Sequence, residues 1–400
     1  MKKRIICNLL LATIFTLNTT SNINAATKYA YSIGTDYGDN VDTSKDAKNA
    51  ATSFGKLGYK SYYNTKPTVS YMKGNAPNGR RRLGCEIVFL SGHATSTYMS
   101  FNYRNKGGDY ATGIIQGKDW ESPSTHYKYA GVDDCDMSKT KLFVLAGCET
   151  ARGGDNITKD IVQNGAKTAL GWTTKISCAS HSEWLKKFFT KLESKVRVID
   201  AVNYANSFSY SDSNVKNTWI YGDTKNIVSL TDTKKSTYDE RLTKCNSTLL
   251  VNNHMSESNL RSTLSMILLN SSVKIDLNNY KIKKHGTVID LILMVDGCET
   301  NTGYTLIVEN NRVKEIYNNE IHNNLMYGII KKPIITDNLK KNKLEIEKTI
   351  VEKSGYTVIS QESKLIYNVN NNSFEYYVFT DYRINDDGLL GRKEGRYEIK

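Results

Sequence analysis

Two short apolar segments end in the same way, and this shared frame constrains the fold more than any other feature of the chain. Residues 87–93 read Ile-Val-Phe-Leu-Ser-Gly-His, and residues 142–148 read Leu-Phe-Val-Leu-Ala-Gly-Cys. Continuous apolar runs of this length, bounded by glycine, predict strands that are buried on both faces, as in a parallel sheet. In such sheets the functional side chains lie beyond the carboxyl ends of the strands. The pattern therefore predicts that His93 and Cys148 meet at one edge of a sheet.

The order of predicted elements divides the 400-residue chain into two domains. From residue 27 to 232, strand-like and helix-like segments alternate, which predicts an α/β fold with a mostly parallel sheet. Residues 233–265 are polar and then weakly helical, and we interpret them as a linker or bridging helix. Residues 266–400 alternate in the strand period, with a hairpin turn at Asn310-Asn311, and predict a smaller, separate α+β domain rich in antiparallel strands.

The first 26 residues have the pattern of a secretory signal peptide. Basic residues at positions 2–4 precede a mostly apolar segment, and small residues at positions 25 and 26 follow it. This order predicts export and removal of residues 1–26, with an uncleaved anchor as the alternative. Beyond this segment, no apolar stretch approaches the roughly 20 residues of a membrane-spanning helix. We therefore expect a secreted, extracellular protein.

The chain carries a net charge of +13, which favours association with anionic cell surfaces. The basic residues are dispersed, and their one tight cluster, residues 80–82, is interpreted as a solvated loop. No basic motif interleaved with aromatic residues accompanies it, so nucleic-acid binding is not expected. The sequence gives no indication of the oligomeric state.

Six cysteines remain once the predicted signal peptide is removed, and none forms a Cys-x-x-Cys pair. Neither a zinc site nor a dense disulfide framework is therefore indicated. An even number permits disulfides, but a free Cys148 would leave an odd number, and the sequence does not pair them. No cofactor is expected. The six are Cys85, Cys135, Cys148, Cys178, Cys245 and Cys298.

A thiol and an imidazole at one sheet edge are the two groups that nucleophilic catalysis by cysteine requires at a minimum. A helix that begins directly after Cys148 would lower the pKa of its thiol. His93 could then protonate a leaving amine. Taken alone, a strand-end cysteine or histidine is more commonly structural; the shared frame favours the catalytic interpretation. His126 lies in a polar loop and ranks well below His93.

The order and spacing of the two frames resemble the caspase-fold cysteine peptidases, and most closely the bacterial CHAT-type and gingipain-like branch. The segments Asn-Gly-Ala-Lys-Thr-Ala-Leu-Gly-Trp at residues 164–172 and Trp-Ile-Tyr-Gly-Asp at residues 219–223 resemble segments of that branch. The resemblance covers roughly residues 28–231. It implies a caspase-like three-layer sandwich and an endopeptidase activity on protein or peptide substrates.

The resemblance also implies roles for individual residues. Cys148 would be the nucleophile and His93 the general acid and base. The backbone N–H groups of Cys148 and Ala94 would stabilise the oxyanion. The family pattern has glycine after the histidine, whereas this chain has Ala94, which resists the positive φ angles that glycine accepts.

Substrate specificity is less constrained by the resemblance. In several related enzymes an aspartate two residues before the nucleophile selects basic side chains, but Ala146 stands there in this chain. Asp36, Asp39 or Asp42 could pair with a basic substrate residue. Alternatively, these carboxylates cap a loop and a helix, or bind a cation such as a structural calcium ion, which nothing else indicates. Trp172 could line the pocket or belong to the core.

We therefore expect a secreted bacterial cysteine endopeptidase. The substrate residue that it prefers before the cleaved bond is undetermined and could be basic. One alternative is a catalytically silent caspase-fold protein that binds a partner at the cell surface, for which Ala94 and Ala146 are the motivation. Another is a surface-binding or carbohydrate-binding protein in which the C-terminal domain makes the binding contacts. That domain could inhibit, assist folding or target the protein, and inhibition is favoured.

Overall fold

A computed structural model describes most of the chain. The described residues are 27–38, 41–102, 111–122, 127–230, 239–252, 254–295, 297–319, 333–369, 371, 373–384 and 388–399. The predicted signal peptide, Asp39 and His126 lie outside these residues.

The strands within the described residues are β1 Tyr29–Gly34, β2 Lys60–Asn64, β3 Ile87–Ser91, β4 His93–Ala94, β5 Tyr98–Asn102, β6 Ala111–Ile115, β7 Trp120–Ser122, β8 Tyr127–Gly131, β9 Leu142–Ala146, β10 Thr168–Trp172, β11 Thr218–Gly222, β12 Leu242–Lys244, β13 Tyr280–His285, β14 Val288–Val295, β15 Cys298–Glu309, β16 Arg312–Asn318, β17 Tyr356–Asn368, β18 Ser373–Ile384 and β19 Leu390–Ile399. The helices are α1 Ser44–Lys56, α2 Val69–Lys73, α3 Ile157–Gln163, α4 Cys178–Glu193, α5 Val198–Asn206, α6 Glu257–Asn270 and α7 Asp337–Lys353.

A six-stranded sheet forms the centre of the N-terminal half. Its strand order is β11-β10-β9-β3-β1-β2, and every neighbouring pair is parallel except β10 with β11. Apolar side chains of α1, α4 and α5 cover one face, including Phe54 and Trp184. The other face packs against α2, α3 and strands β5, β6 and β8. The prediction of an α/β fold with a mostly parallel sheet is confirmed.

The two frame strands lie side by side at the middle of this sheet. Every residue of β3 and of β9 is buried, as expected for apolar strands covered on both faces. Burial of each large apolar side chain contributes roughly 1.5–3 kcal/mol to folding. The strand ends, and the residues that follow them, are therefore held in fixed positions.

A second, larger sheet crosses the boundary between the two halves of the chain. Its order is β12-β16-β15-β17-β18-β19-β4-β5-β6-β8-β7, with β13 and β14 joined through β15, and its pairings are mostly antiparallel. The junction is a bridge between Ala94 of β4 and Leu390 of β19. The antiparallel C-terminal strands were predicted, but not as part of a sheet shared with the N-terminal half, because β4 has only two residues and carries no strand pattern.

The interval predicted as a linker or bridging helix belongs largely to the C-terminal region. β12 pairs with β16, and α6 packs its apolar side chains into the core beneath β14 and β15. These side chains are Leu260, Leu264, Ile267 and Leu268. Asn310 and Asn311, with φ angles of 50° and 60°, form the predicted turn, here between β15 and β16. Across the described residues, every helix is too short or too polar to cross a lipid bilayer.

Candidate active site

The structure brings His93 and Cys148 to the same edge of the parallel sheet. β3 and β9 are in register at Ser91 and Ala146, and the N–H of Gly92 donates a hydrogen bond to the carbonyl of Ala146 at 3.2 Å. His93 and Cys148 both line one small cavity beyond this point.

Gly147 permits this close approach of the two strand ends. A Cβ atom at Gly147 would lie 2.7 Å from the Cβ of Ala94 and 2.7 Å from the carbonyl oxygen of Gly92. Both distances are below ordinary contact, so a larger residue at position 147 would push the histidine segment away from the cysteine. The glycine of the cysteine frame is thus required by packing against the histidine frame.

Tyr37, which follows the first strand, positions the histidine segment. Its hydroxyl accepts a hydrogen bond from the backbone N–H of His93 at 3.0 Å and donates one to the carbonyl of Ser100. The two rings pack with their centroids 4.4 Å apart. On the other side, the ring of Tyr382 from β18 lies 6.0 Å from that of His93. His93 is therefore buried between the two halves of the chain.

Cys148 is buried and protonated in this conformation. Its side chain is 5% exposed, and its Sγ donates a weak hydrogen bond to the carbonyl of Ile176 at 3.8 Å. Burial raises the pKa of the Cys148 thiol to about 12. No helix begins directly after Cys148, because residues 148–151 form a turn and α3 begins only at Ile157. The condition under which a following helix would lower the pKa of this thiol is therefore not met.

The turn after Cys148 is held by its own polar groups. Glu149 has a φ of 60°, which is uncommon for a residue other than glycine, and its N–H donates to the carbonyl of Thr174 at 3.1 Å. The Thr150 hydroxyl donates to the carbonyl of Leu145 at 3.0 Å and accepts from the N–H of Trp172 at 3.1 Å. These bonds fix the position of the thiol relative to β9 and β10.

The other residues predicted for the site fall into two groups. Ala146 lines the cavity, and Ala94 lies beside it, paired with Leu390. Asp36 does not line the cavity; it is exposed and accepts a hydrogen bond from the N–H of Gly38 at 3.0 Å. Trp172 belongs to the core, since it is fully buried and its Nε1–H donates to the carbonyl of Val215 at 2.8 Å.

His181 is a second histidine at the cavity, and no pattern around it in the sequence indicates this position. It lies in the first turn of α4, and its ring meets the face of Trp172 at right angles, with centroids 4.5 Å apart. Burial lowers the pKa of His181 to about 3, so its imidazole is neutral. A neutral, buried ring is suited to packing against the thiol side of the cavity rather than to proton transfer near neutral pH.

The C-terminal region forms the remaining wall of the cavity, through Tyr382, Gly391 and Arg392. Leu390 bridges Ala94, and Arg392 bridges Ser177. The cavity that remains has a volume of about 30 Å³, which has room for water but not for a peptide. The site is thus closed by a strand of the same chain.

Asp212 is a carboxylate of the N-terminal half that contacts this closure, through Arg392. It precedes the short 3₁₀ turn Ser213–Lys216 and accepts hydrogen bonds from the N–H groups of Asn214 at 3.2 Å and Ser177 at 2.8 Å. An aspartate before a short turn indicates a cap in the sequence, but nothing local indicates that it pairs with Arg392 of a distant strand.

Within the described residues, no cluster of three or more His, Cys, Asp or Glu side chains is arranged to hold a metal ion, and none of the six described cysteines forms a disulfide. Comparison of the chain with protein-family models and with curated protein sequences yields no significant match to either. The chemistry of the site therefore has to be argued from its own residues.

Proposed function

We propose that the protein is a secreted bacterial cysteine endopeptidase with a caspase-like fold. The observation that carries the proposal is the meeting of the two strand ends, where the Gly92–Ala146 hydrogen bond places His93 and Cys148 on one cavity. The two residues come from adjacent, fully buried strands, so their relative position is set by the core. This arrangement suits a nucleophile and its proton-transfer partner.

In the proposed reaction the Cys148 sulfur attacks the carbonyl carbon of a peptide bond, and the thiol proton passes to His93. Collapse of the tetrahedral intermediate breaks the C–N bond, and His93 delivers the proton to the leaving amine. Water then attacks the thioester, which releases the carboxylic acid and restores the thiol. The backbone N–H groups of Cys148 and Ala94 are the proposed donors to the oxyanion.

The closed cavity implies that the chain is latent as folded. A peptide cannot enter about 30 Å³, and a thiol with a pKa of about 12 is scarcely ionised at neutral pH. Residues 390–394 must therefore leave the cleft before the proposed reaction can proceed. The inhibitory role expected for the C-terminal region becomes part of the proposal.

The test uses the full mature chain, residues 27–400, with Arg392→Ala and Glu394→Ala to weaken the closure. This variant is incubated with a mixed peptide library under reducing conditions, and products are identified by mass spectrometry. We expect cleavage that disappears when Cys148→Ala is added and persists when Cys245→Ala is added, because Cys245 lies in the core of the C-terminal region. Identical product profiles with and without Cys148 would reject the peptidase.

A catalytically silent protein is the second candidate, and the same burial of Cys148 favours it. The two candidates differ in the behaviour of the thiol once the cleft is opened. An electrophilic thiol probe should label Cys148 of the opened peptidase in a manner that depends on His93. In a silent binding protein, His93→Ala should leave the labelling of Cys148 unchanged.

A further inference from the structure

Arg392 makes several of the charged contacts at the closure of the cleft. This side chain is 6% exposed although it carries a permanent charge. Its Nε lies 3.2 Å from Oδ2 of Asp212, its Nη1 lies 3.0 Å from Oδ1 of Asp381, and its Nη2 contacts Glu362. The guanidinium also lies 4.8 Å from the centre of the Phe379 ring. A buried cation with this many partners is held in one position.

The Asp212 carboxylate is anchored by the N-terminal half alone. The N–H groups of Ser177 and Asn214 bind it, so its position does not depend on Arg392. Ile176, whose carbonyl accepts the Cys148 Sγ hydrogen bond, directly precedes Ser177. One short segment, Ile176-Ser177, therefore contacts both the thiol and the carboxylate.

Glu394 fastens the same strand two residues further on. Its carboxylate accepts hydrogen bonds from the hydroxyls of Ser177 at 2.7 Å, Ser180 at 3.1 Å and Ser211 at 2.6 Å. All three serines belong to the N-terminal half. The strand is thus held across the cleft at Ala94 and at Ser177, Ser180 and Ser211.

We propose that residues 390–394 are an internal ligand of the cleft, and that Asp212 is the residue that selects an arginine side chain of a substrate in the place of Arg392. This inference rests on the proposed peptidase function and names its substrate class. Arg392 approaches Asp212 through its Nε, at 3.2 Å, which is part of the charged guanidinium group, whereas a lysine side chain has only methylene carbons at that position.

Asp381 and Glu362 also hold Arg392 from its own region, so the arginine has a structural role there as well. That role alone does not account for Asp212, which is almost fully buried and would lose its cationic partner whenever the strand withdraws. Asp212 and Ser177 remain in the N-terminal half to receive another guanidinium. A partly buried carboxylate left without a cation is costly, which gives a substrate arginine a binding advantage.

The interface beside the closure is polar and hollow, which makes withdrawal of the strand feasible. A cavity of about 500 Å³ separates the two halves there, lined by charged side chains that include Lys283, Glu299 and Arg396. Opening such an interface exposes less apolar surface than opening a packed core. The closure therefore depends on a few charged contacts at β19.

The first experiment measures hydrolysis of two fluorogenic peptides that differ only in having arginine or glutamine before the cleaved bond. Full mature chains are compared: wild type, Arg392→Ala, Arg392→Gln, and Arg396→Ala as the matched control, since Arg396 pairs with Glu375 of its own region. We expect Arg392→Ala and Arg392→Gln to cleave the arginine peptide at least about tenfold faster than wild type or control. Adding Asp212→Asn should remove the preference for arginine.

Hydrolysis of the arginine peptide by wild type at the same measurable rate as by Arg392→Ala would overturn the internal-ligand role. Equal cleavage of the two peptides by an active Arg392→Ala protein would overturn the role of Asp212. Thermal unfolding followed by circular dichroism identifies any variant that fails to fold, and Arg392→Gln preserves most of the side-chain volume if Arg392→Ala does not fold.

The second experiment does not require catalysis and uses methylguanidinium chloride as the probe. We expect it to raise the unfolding midpoint of Arg392→Ala, but not that of wild type or of Arg392→Ala/Asp212→Asn, because only the first has a vacant guanidinium site with its carboxylate. The absence of a shift in Arg392→Ala overturns the proposal even if peptides are cleaved. A shift without any hydrolysis supports the arginine site and rejects the peptidase function, so the two failures are distinguishable.

Discussion

Arg392 Nε lies 3.2 Å from Asp212 Oδ2, and this ion pair joins the last strand of the chain to the segment that contacts the Cys148 thiol. Both side chains are almost fully buried. The pair therefore links the closure of the cleft to the proposed recognition of an arginine side chain. The account makes predictions for each.

The first prediction concerns the reactivity of the Cys148 thiol. Burial raises its pKa to about 12, so wild type should resist alkylation by iodoacetamide near neutral pH. Arg392→Ala/Glu394→Ala should increase modification of Cys148 by about tenfold or more, because opening the cleft restores solvent to the thiol. Peptide mapping by mass spectrometry measures this, with Cys85 as an internal buried reference. Equal modification of Cys148 in both proteins would contradict the closed structure.

The second prediction concerns Glu394 as a fastening point. Three serine hydroxyls from the other half of the chain donate to its carboxylate. Glu394→Ala should weaken the closure by about 2–4 kcal/mol, since hydrogen bonds to a charged group contribute about 1.5–3 kcal/mol each and are only partly additive. The readout is faster labelling of Cys148. Glu398→Ala, at an exposed position of the same strand, should leave the labelling rate at the wild-type value.

The third prediction concerns the ion pair between Lys216 and Asp290, which joins the two halves. Its atoms are 2.7 Å apart, and both side chains are almost fully buried. Lys216→Met should lower the free energy of unfolding by about 3–5 kcal/mol, because Asp290 keeps its charge without its cation. Lys216→Met/Asp290→Asn should be less destabilised, since the asparagine can still accept from Thr305. Urea unfolding measures both, and a double variant as unstable as the single would refute the explanation.

The fourth prediction concerns the pH dependence due to Asp46, in the first turn of α1. The hydroxyls of Ser182 and Ser91 donate to its buried carboxylate at 2.7 and 3.4 Å. Burial is the largest influence on this group and raises the pKa of Asp46 from 3.8 to about 6. Between these values the folded state holds a proton that the unfolded state has released. Stability from this group is therefore lost as the pH rises from about 4 to about 6.

Asp46→Asn should remove this loss. We expect the variant to be more stable than wild type by about 1–3 kcal/mol near pH 7.5 and to match it near pH 4, since a shift of one pKa unit corresponds to about 1.4 kcal/mol. Urea unfolding at the two pH values checks the prediction. A variant that loses stability near pH 7.5 would show that the charged form of Asp46 is favoured in the folded protein.

The parallel sheet and the meeting of His93 and Cys148 could be predicted because both depend on local patterns. β3 and β9 are continuous apolar runs, and strands buried on both faces have few alternatives. Gly147 follows from the same pattern, since close packing of the two frames needs a residue without a side chain. These features are encoded within a few residues of the positions they determine.

The closure of the cleft could not be predicted, because it is a long-range pairing. β4 has only two residues, and β19 is mostly charged and polar without a regular alternation, so nothing local places Leu390 beside Ala94. Asp36 was a predicted pocket residue because it is charged and follows the first strand. The carboxylate of the N-terminal half that pairs with the closing strand is instead Asp212, which follows α5 and binds the N–H of Ser177, the residue before α4.

The most direct test of the account is hydrolysis of an arginine-containing fluorogenic peptide by the full mature Arg392→Ala chain, compared with Arg392→Ala/Cys148→Ala and Arg392→Ala/His93→Ala. The account predicts turnover by Arg392→Ala, complete loss with Cys148→Ala, and a decrease of about a hundredfold or more with His93→Ala. Turnover that survives removal of Cys148, or no turnover by an Arg392→Ala protein whose Cys148 is open to alkylation, would contradict it.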